Sequence, residues 1–167
     1  MKTQKNSISS VRRVFLGISL ALFITRAGYA QDDPGLPRVE LPQQPFIINT
    51  HKINEVRVVP VVRGLSHPWS LAFLPDGDML ITERTGTLRM VQDGVLLSDP
   101  IDGLPDDIMA IRFFGLMEVA LHPQFESNRL VYLTYTRALA DDVGTVVLVR
   151  GRLDGTTLRD LEDLLAV

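Results

Sequence analysis

The chain contains no cysteine. That absence excludes disulfides, thiolate nucleophiles and Cys-ligated zinc together, so stability rests on packing alone. A membrane-spanning run is also missing: the apolar stretch Val14–Ile24 falls short of the ~20 residues such a helix requires. No GxGxxG or phosphate-binding loop occurs, Ser70 lacks the flanking glycines of a nucleophile elbow, and His51 and His67 have no HxxH-type spacing for a metal. Acidic residues are absent from the first 30 positions, which hold Lys2, Lys5, Arg12, Arg13 and Arg26. Setting those five aside leaves 12 of the 17 basic residues against all 20 acidic ones, and the formal charge moves from -3 to -8. An acidic body repels phosphate backbones and anionic lipid, which argues against nucleic-acid or membrane-surface binding.

What is present at the N-terminus has the order of an export signal. A basic zone ends at Arg12-Arg13, the apolar run follows, and small residues (Gly28, Ala30) close it before Gln31. Cleavage is expected after Ala30, leaving no stable membrane anchor and a periplasmic product. Ser10–Leu16 resembles a twin-arginine signal, although Val11 stands where that motif prefers Ser or Thr. An ordinary secretory signal carrying two arginines is the alternative.

The expected organisation is 1–30 as a cleavable signal, 31–55 as a Pro/Gln-rich tether and 56–167 as the folded domain. The domain reads as short strands separated by turn signals. Val56–Val62 is β-branched but carries Pro60, which confines it to an edge or bulge. Met79–Arg84, Thr87–Gln92 and Thr145–Leu153 follow as strands, with Thr85-Gly86, Asp93-Gly94 and Asp154-Gly155 as tight turns. The order recurs: Leu71-Ala72-Phe73-Leu74-Pro75 is echoed by Val119-Ala120-Leu121-His122-Pro123, and Met79–Thr82 by Leu130–Thr134. Ala72 and Ala120 are 48 positions apart in the sequence, close to the ~40–50 residues of a four-stranded propeller blade. A two-layer β sandwich is the competing architecture. The tail Thr156–Val167 spaces Leu158, Leu161, Leu164 and Leu165 as a short amphipathic helix would, which is the favoured reading over its rival, a strand whose continuation is missing.

Two ordered blocks carry a resemblance. Gly64–Gly77 (GLSHPWSLAFLPDG) with Leu80–Arg84 (LITER), and Gly115–Phe125 (GLMEVALHPQF) with Asn128–Tyr135 (NRLVYLTY), resemble soluble PQQ-dependent aldose dehydrogenases of the glucose/sorbosone dehydrogenase family. The resemblance covers roughly Val56 to Leu153. It implies an all-β, six-bladed β-propeller of which this chain would hold the first two blades. The implied activity is oxidation of the anomeric hydroxyl of an aldose to a lactone. A histidine base, the PQQ quinone as hydride acceptor and a calcium ion that polarises it would carry that reaction, and an electron acceptor would reoxidise the cofactor. Family members draw the base, the calcium ligands and most cofactor-binding cations from later blades. Catalytic and metal-binding residues are therefore expected beyond Val167 and none within the chain. The family usually places a Gln that contacts the cofactor two residues before the glycine matching Gly115. Phe113 stands there, and it stacks on a flat quinone but supplies no amide hydrogen bonds. Arg112 and Phe113 are thus the candidate cofactor-binding residues. A propeller that has lost PQQ and serves as a non-enzymatic binding module is the alternative. A lactonase-type hydrolase would need a carboxylate set for a metal, which the sequence does not display.

Other residues receive plainer readings. His122 beside Pro123 reads as a turn histidine, since a working base needs a partner to tune it. Asp32-Asp33, Asp106-Asp107 and Asp141-Asp142 read as solvated turns, because calcium loops alternate their oxygens around a sharp glycine turn. Trp69 after Pro68 reads as a buried core anchor. Two blades alone leave open sheet edges and an uncovered apolar face. Residues 31–167 are accordingly expected to be poorly soluble and catalytically silent. Aldose oxidation by that purified segment with PQQ and calcium would overturn the expectation.

Overall fold

The computed structural model describes residues 42–140 and 143–167. The export segment, the start of the Pro/Gln-rich segment and Asp141-Asp142 lie outside them, as do Asp32 and Asp33. The first described element is a small hairpin in which β1 (Phe46–Ile48) pairs antiparallel with β2 (Val56–Val58). A strand therefore occupies part of the segment read as a tether. β2 stops at Val58, two residues before Pro60, whose missing N–H cannot extend a ladder.

Two four-stranded antiparallel meanders follow. The first runs β3 (Pro68–Phe73), β4 (Met79–Glu83), β5 (Thr87–Gln92) and β6 (Val95–Leu96). The second runs β7 (Leu116–Leu121), β8 (Leu130–Ala140), β9 (Val143–Asp154) and β10 (Thr157–Ala166), with a single helical turn, α1 (Phe125–Asn128), between β7 and β8. Asp93 and Gly94 both take positive φ (49° and 76°), the left-handed pair that a two-residue hairpin between twisted strands requires.

The 48-residue echo is a repeat of structure. Leu71 pairs with Ile81 and Ala72 with Leu80; their counterparts Val119 and Ala120 pair with Leu133 and Tyr132. A register shift lies between Pro68 and Leu71 and recurs between Leu116 and Val119. Each bulge is tied by a threonine on the neighbouring strand. Thr82 Oγ1 accepts the Ser70 N–H at 2.9 Å, and Thr134 Oγ1 accepts the Glu118 N–H at 3.1 Å. Sequential meanders repeated in register are blades of a β-propeller, the fold class expected from the sequence, and they displace the sandwich reading, in which strands cross between sheets.

Strand alternation sorts the core. Leu80, Leu88 and Met90 of the first blade share one buried cluster with Leu116, Leu133 and Val147 of the second. Met79, Ile81 and Val91 point the other way, under Val62, Leu65 and Leu96. All five residues of β4 are buried as a result. Such a strand reads as an apolar run, Met79–Ile81, that ends in two buried polar residues, Thr82 and Glu83; Thr82 is 0% exposed and satisfied across the seam. Its hydroxyl donates to the Met117 carbonyl at 2.6 Å. Beside it, Ser70 Oγ donates to Glu118 Oε2 at 2.8 Å.

Two expectations are corrected. The tail is a strand, β10, paired along β9 from Thr157 to Ala166. Register shifts after Arg159 and after Asp163 each alter the in–out parity. That spreads Leu158, Leu161, Leu164 and Leu165 to a spacing that imitates a helix, although Leu158 alone is buried. Trp69 is 51% exposed rather than a core anchor. It sits inside the β3 bulge, where the ladder no longer assigns a side chain to the core face.

Replacing Thr82 by Val keeps the shape but leaves the Ser70 N–H and the Met117 carbonyl without their partner. We expect a loss of roughly 1–3 kcal/mol in unfolding free energy, read by urea denaturation. Thr134→Val, which touches one blade only, should cost less.

Candidate functional site

One end of the two blades gathers the start of β3, the end of β4 and the start of β7. Pro68 pairs with Glu83 there, and the Arg84 N–H donates to the His67 carbonyl at 3.0 Å. Glu83, a carboxylate only 3% exposed, anchors this end: it accepts the Ser66 N–H at 2.5 Å and the Thr87 hydroxyl, with Arg89 3.8 Å away. Burial of a charge on this scale is tolerable because each oxygen meets a donor.

The same end carries the loop Ala110–Phe114. Thr136 on β8 closes its base with both of its backbone groups. Its carbonyl accepts the Met109 N–H at 2.8 Å, and its own N–H donates to the Gly115 carbonyl at 2.9 Å. Within the loop, the Phe114 N–H donates to the Ile111 carbonyl at 2.8 Å, and Arg112 takes a positive φ of 52°. Arg84 donates from Nη1 to the Arg112 carbonyl. The loop re-enters the sheet at Gly115 with φ 151°, where an added Cβ would lie 1.9 Å from the Arg84 carbonyl oxygen. Only glycine allows that approach.

The structure thus brings both sequence candidates, Arg112 and Phe113, onto one pinned loop. Phe113 is 85% exposed, and Phe114 beside it is 41% exposed. Arg84 joins them, a residue of the Leu80–Arg84 block from which no role was expected. No local signal marks it, because its place beside Arg112 depends on a contact 28 residues away. Phe113 offers an exposed aromatic face, and the Arg84 guanidinium is held against the loop backbone at Arg112, groups of the kind a flat, anionic ligand uses.

The other candidates lie apart from this loop. His122 follows the far end of β7; its Nδ1 accepts the Gln124 N–H at 3.0 Å and lies 2.8 Å from Asn128 Nδ2, and its ring stacks 6.1 Å from that of Tyr132. Its contacts are those of a turn histidine. Asp106 is an exposed turn residue, whereas Asp107 departs from the solvated-turn reading: its carboxylate meets Arg137 Nε at 2.8 Å and the Tyr135 hydroxyl at 3.1 Å. Burial raises the Tyr135 pKa above that of an ordinary phenol. Hydrogen bonds from Arg137 hold Asp163 below the usual carboxylate range. Among the described residues, no three of His, Asp and Glu stand together as a metal site.

The model of the Glucose / Sorbosone dehydrogenase family matches residues 65–167. The chain is 42% identical over 120 residues to an uncharacterized Synechocystis protein, slr1608, covering 68% of this chain and 29% of the relative. It is 44% identical over 90 residues to aldose sugar dehydrogenase YliI of Escherichia coli K12, covering 53% of this chain and 24% of the relative. The solved PQQ-bound form of aldose sugar dehydrogenase from Streptomyces coelicolor superposes with a TM-score of 0.56 at 25% identity, over 74% of this chain and 34% of that one. The chain therefore spans about a quarter to a third of the length of these proteins.

Gly115→Ala is expected to dislodge the loop rather than be absorbed, since the clash is with backbone. A loss of about 2 kcal/mol or more, measured by urea unfolding, is the expected outcome. Gly77→Ala, also at positive φ but in open space, should cost less.

Proposed function

Because the chain belongs to the glucose/sorbosone dehydrogenase family, we propose that it supplies two blades and one flank of the cofactor site of a PQQ-dependent dehydrogenase acting on aldose sugars. The observation that carries this reading is the pinned Ala110–Phe114 loop, which presents Arg112 and the exposed Phe113 beside Arg84. PQQ is planar and carries three carboxylates, so guanidinium groups and an aromatic face fit it. Arg112 and Arg84 would balance its charge and Phe113 would lie against its ring; when bound, its quinone accepts the hydride of the sugar's anomeric carbon. Calcium does not fit these residues, since no acidic cluster stands among them. The base, the calcium ligands and the remaining blades of a six-bladed ring belong in this reading to sequence beyond Val167.

The basic, apolar and small-residue order of positions 1–30 supports export to the periplasm, by the twin-arginine or the general secretory route. The natural partners would be an aldose and an electron acceptor. A second reading is favoured by Phe113 itself: without the amide of the family's Gln, the propeller would bind a partner and no longer bind PQQ.

The test is reconstitution of the protein recovered from the periplasm of its source, after its intact mass has been measured. Dye reduction that requires both PQQ and an aldose is the expected result. In that assay Arg112→Ala should raise the PQQ concentration for half-maximal activity about tenfold, the worth of one charge-assisted contact. A folded protein of full propeller mass that ignores PQQ would favour the binding-module reading instead.

A further inference from the structure

The loop's approach to the sheet is held by a group of side chains that the cofactor reading leaves unused. Asp107–Met109 runs along the same edge of β8 that β7 occupies: Ile108 bridges to Arg137, while Arg137 pairs with Thr145 of β9 on its other edge. The backbone contacts are the Ala138 N–H to the Asp107 carbonyl at 2.9 Å and the Met109 N–H to the Thr136 carbonyl. Side chains then tie this segment across the blade. Arg137 Nε lies 2.8 Å from Asp107 Oδ2, and its Nη1 and Nη2 reach the two oxygens of Asp163 on β10 at 2.6 and 2.9 Å. The fully buried Tyr135 completes the group. Its hydroxyl donates to Asp107 Oδ1 at 3.1 Å and accepts from Arg137 Nη2 at 2.7 Å, while the guanidinium carbon lies 5.6 Å from its ring centre.

This arrangement is more than a surface ion pair. A planar guanidinium engaged by two carboxylates and a buried phenol has one orientation, and that orientation fixes Asp107. Asp107 lies three residues before Ala110, the first residue of the loop, and Thr136, next to both Tyr135 and Arg137, closes the loop's base. We infer that Asp107 and Arg137 are positioning residues that set where the Ala110–Phe114 loop holds Arg112 and Phe113. The consequence for cofactor binding rests on the function proposed above; the clamp on the loop rests on geometry alone.

The experiment reads the two separately. Limited trypsin digestion of the whole chain scores cleavage after Arg112 against cleavage after Arg57, an exposed site on β2. Asp107→Asn should raise that ratio about tenfold, because the loop opens locally without the sheet melting. Arg137→Met should do the same and Arg137→Lys should restore part of the protection, since Lys keeps the charge but lacks the fork. If Arg137→Met does not fold, Asp107→Asn still decides, its side chain being 39% exposed. In the holoenzyme, Asp107→Asn should raise the PQQ needed for half-maximal reconstitution while leaving kcat at saturating PQQ unchanged. Equal cleavage ratios in wild type and a folded Asp107→Asn variant would overturn the clamp. A changed ratio with an unchanged PQQ requirement would overturn the positioning role. A wild type that never takes up PQQ, with the ratio still changed, would uphold the clamp and remove the cofactor reading.

Discussion

The rest of the structure depends on the seam between the two blades, and the seam depends on how one buried hydroxyl is satisfied. Thr82 lies in a strand buried on both faces, where an unpaired polar group is costly. It meets the Ser70 N–H within its own blade and the Met117 carbonyl of the next, so the bulge of β3 and the start of β7 are fixed against each other. The apolar cluster that spans both sheets supplies most of the attraction, but it has no direction of its own. The hydroxyl supplies the register. Ser70 and Glu118, the equivalent bulge residues of the two blades, bond to each other at the same place.

From that seam the candidate site follows. β7 begins just after Gly115, where the chain passes against the Arg84 carbonyl with no room for a side chain. The preceding residues must leave the sheet and return, and Thr136 holds both feet of the excursion. A short loop pinned in this way projects its side chains with little freedom, which is what a ligand wall needs. The exposure of Phe113 follows from the placement of the loop backbone.

The outer strand is stabilised differently. Beyond Leu158, β10 buries little, and its contacts are charged: Glu162 with Arg150, Asp160 with Arg152, Arg159 with Asp154 and Asp163 with Arg137. Exposed pairs of this kind are worth little individually, yet a strand edge lined by charge resists pairing with other chains. The same charges made the tail difficult to read, because they sit where an amphipathic helix would also put its polar face.

Much of the architecture was legible in the sequence. The turns Asp93-Gly94 and Asp154-Gly155, the strand Met79–Arg84 between its turn signals and the 48-residue echo are local or periodic signals, and backbone sterics and strand pleating convert them directly into structure. Arg112 and Phe113 were found by resemblance, not by any local pattern. What only the tertiary structure decided were features made by contacts distant in the chain. Bulges shifted Trp69 and the tail leucines off their expected faces, Asp107 found Arg137 thirty residues on, and Arg84 came to lie against Arg112. The physical reason is common to all of them. Periodicity reports which residues face the same way along one strand, whereas a bulge parity or a guanidinium's partner is set by the neighbouring strand, about which a single stretch of sequence carries no information.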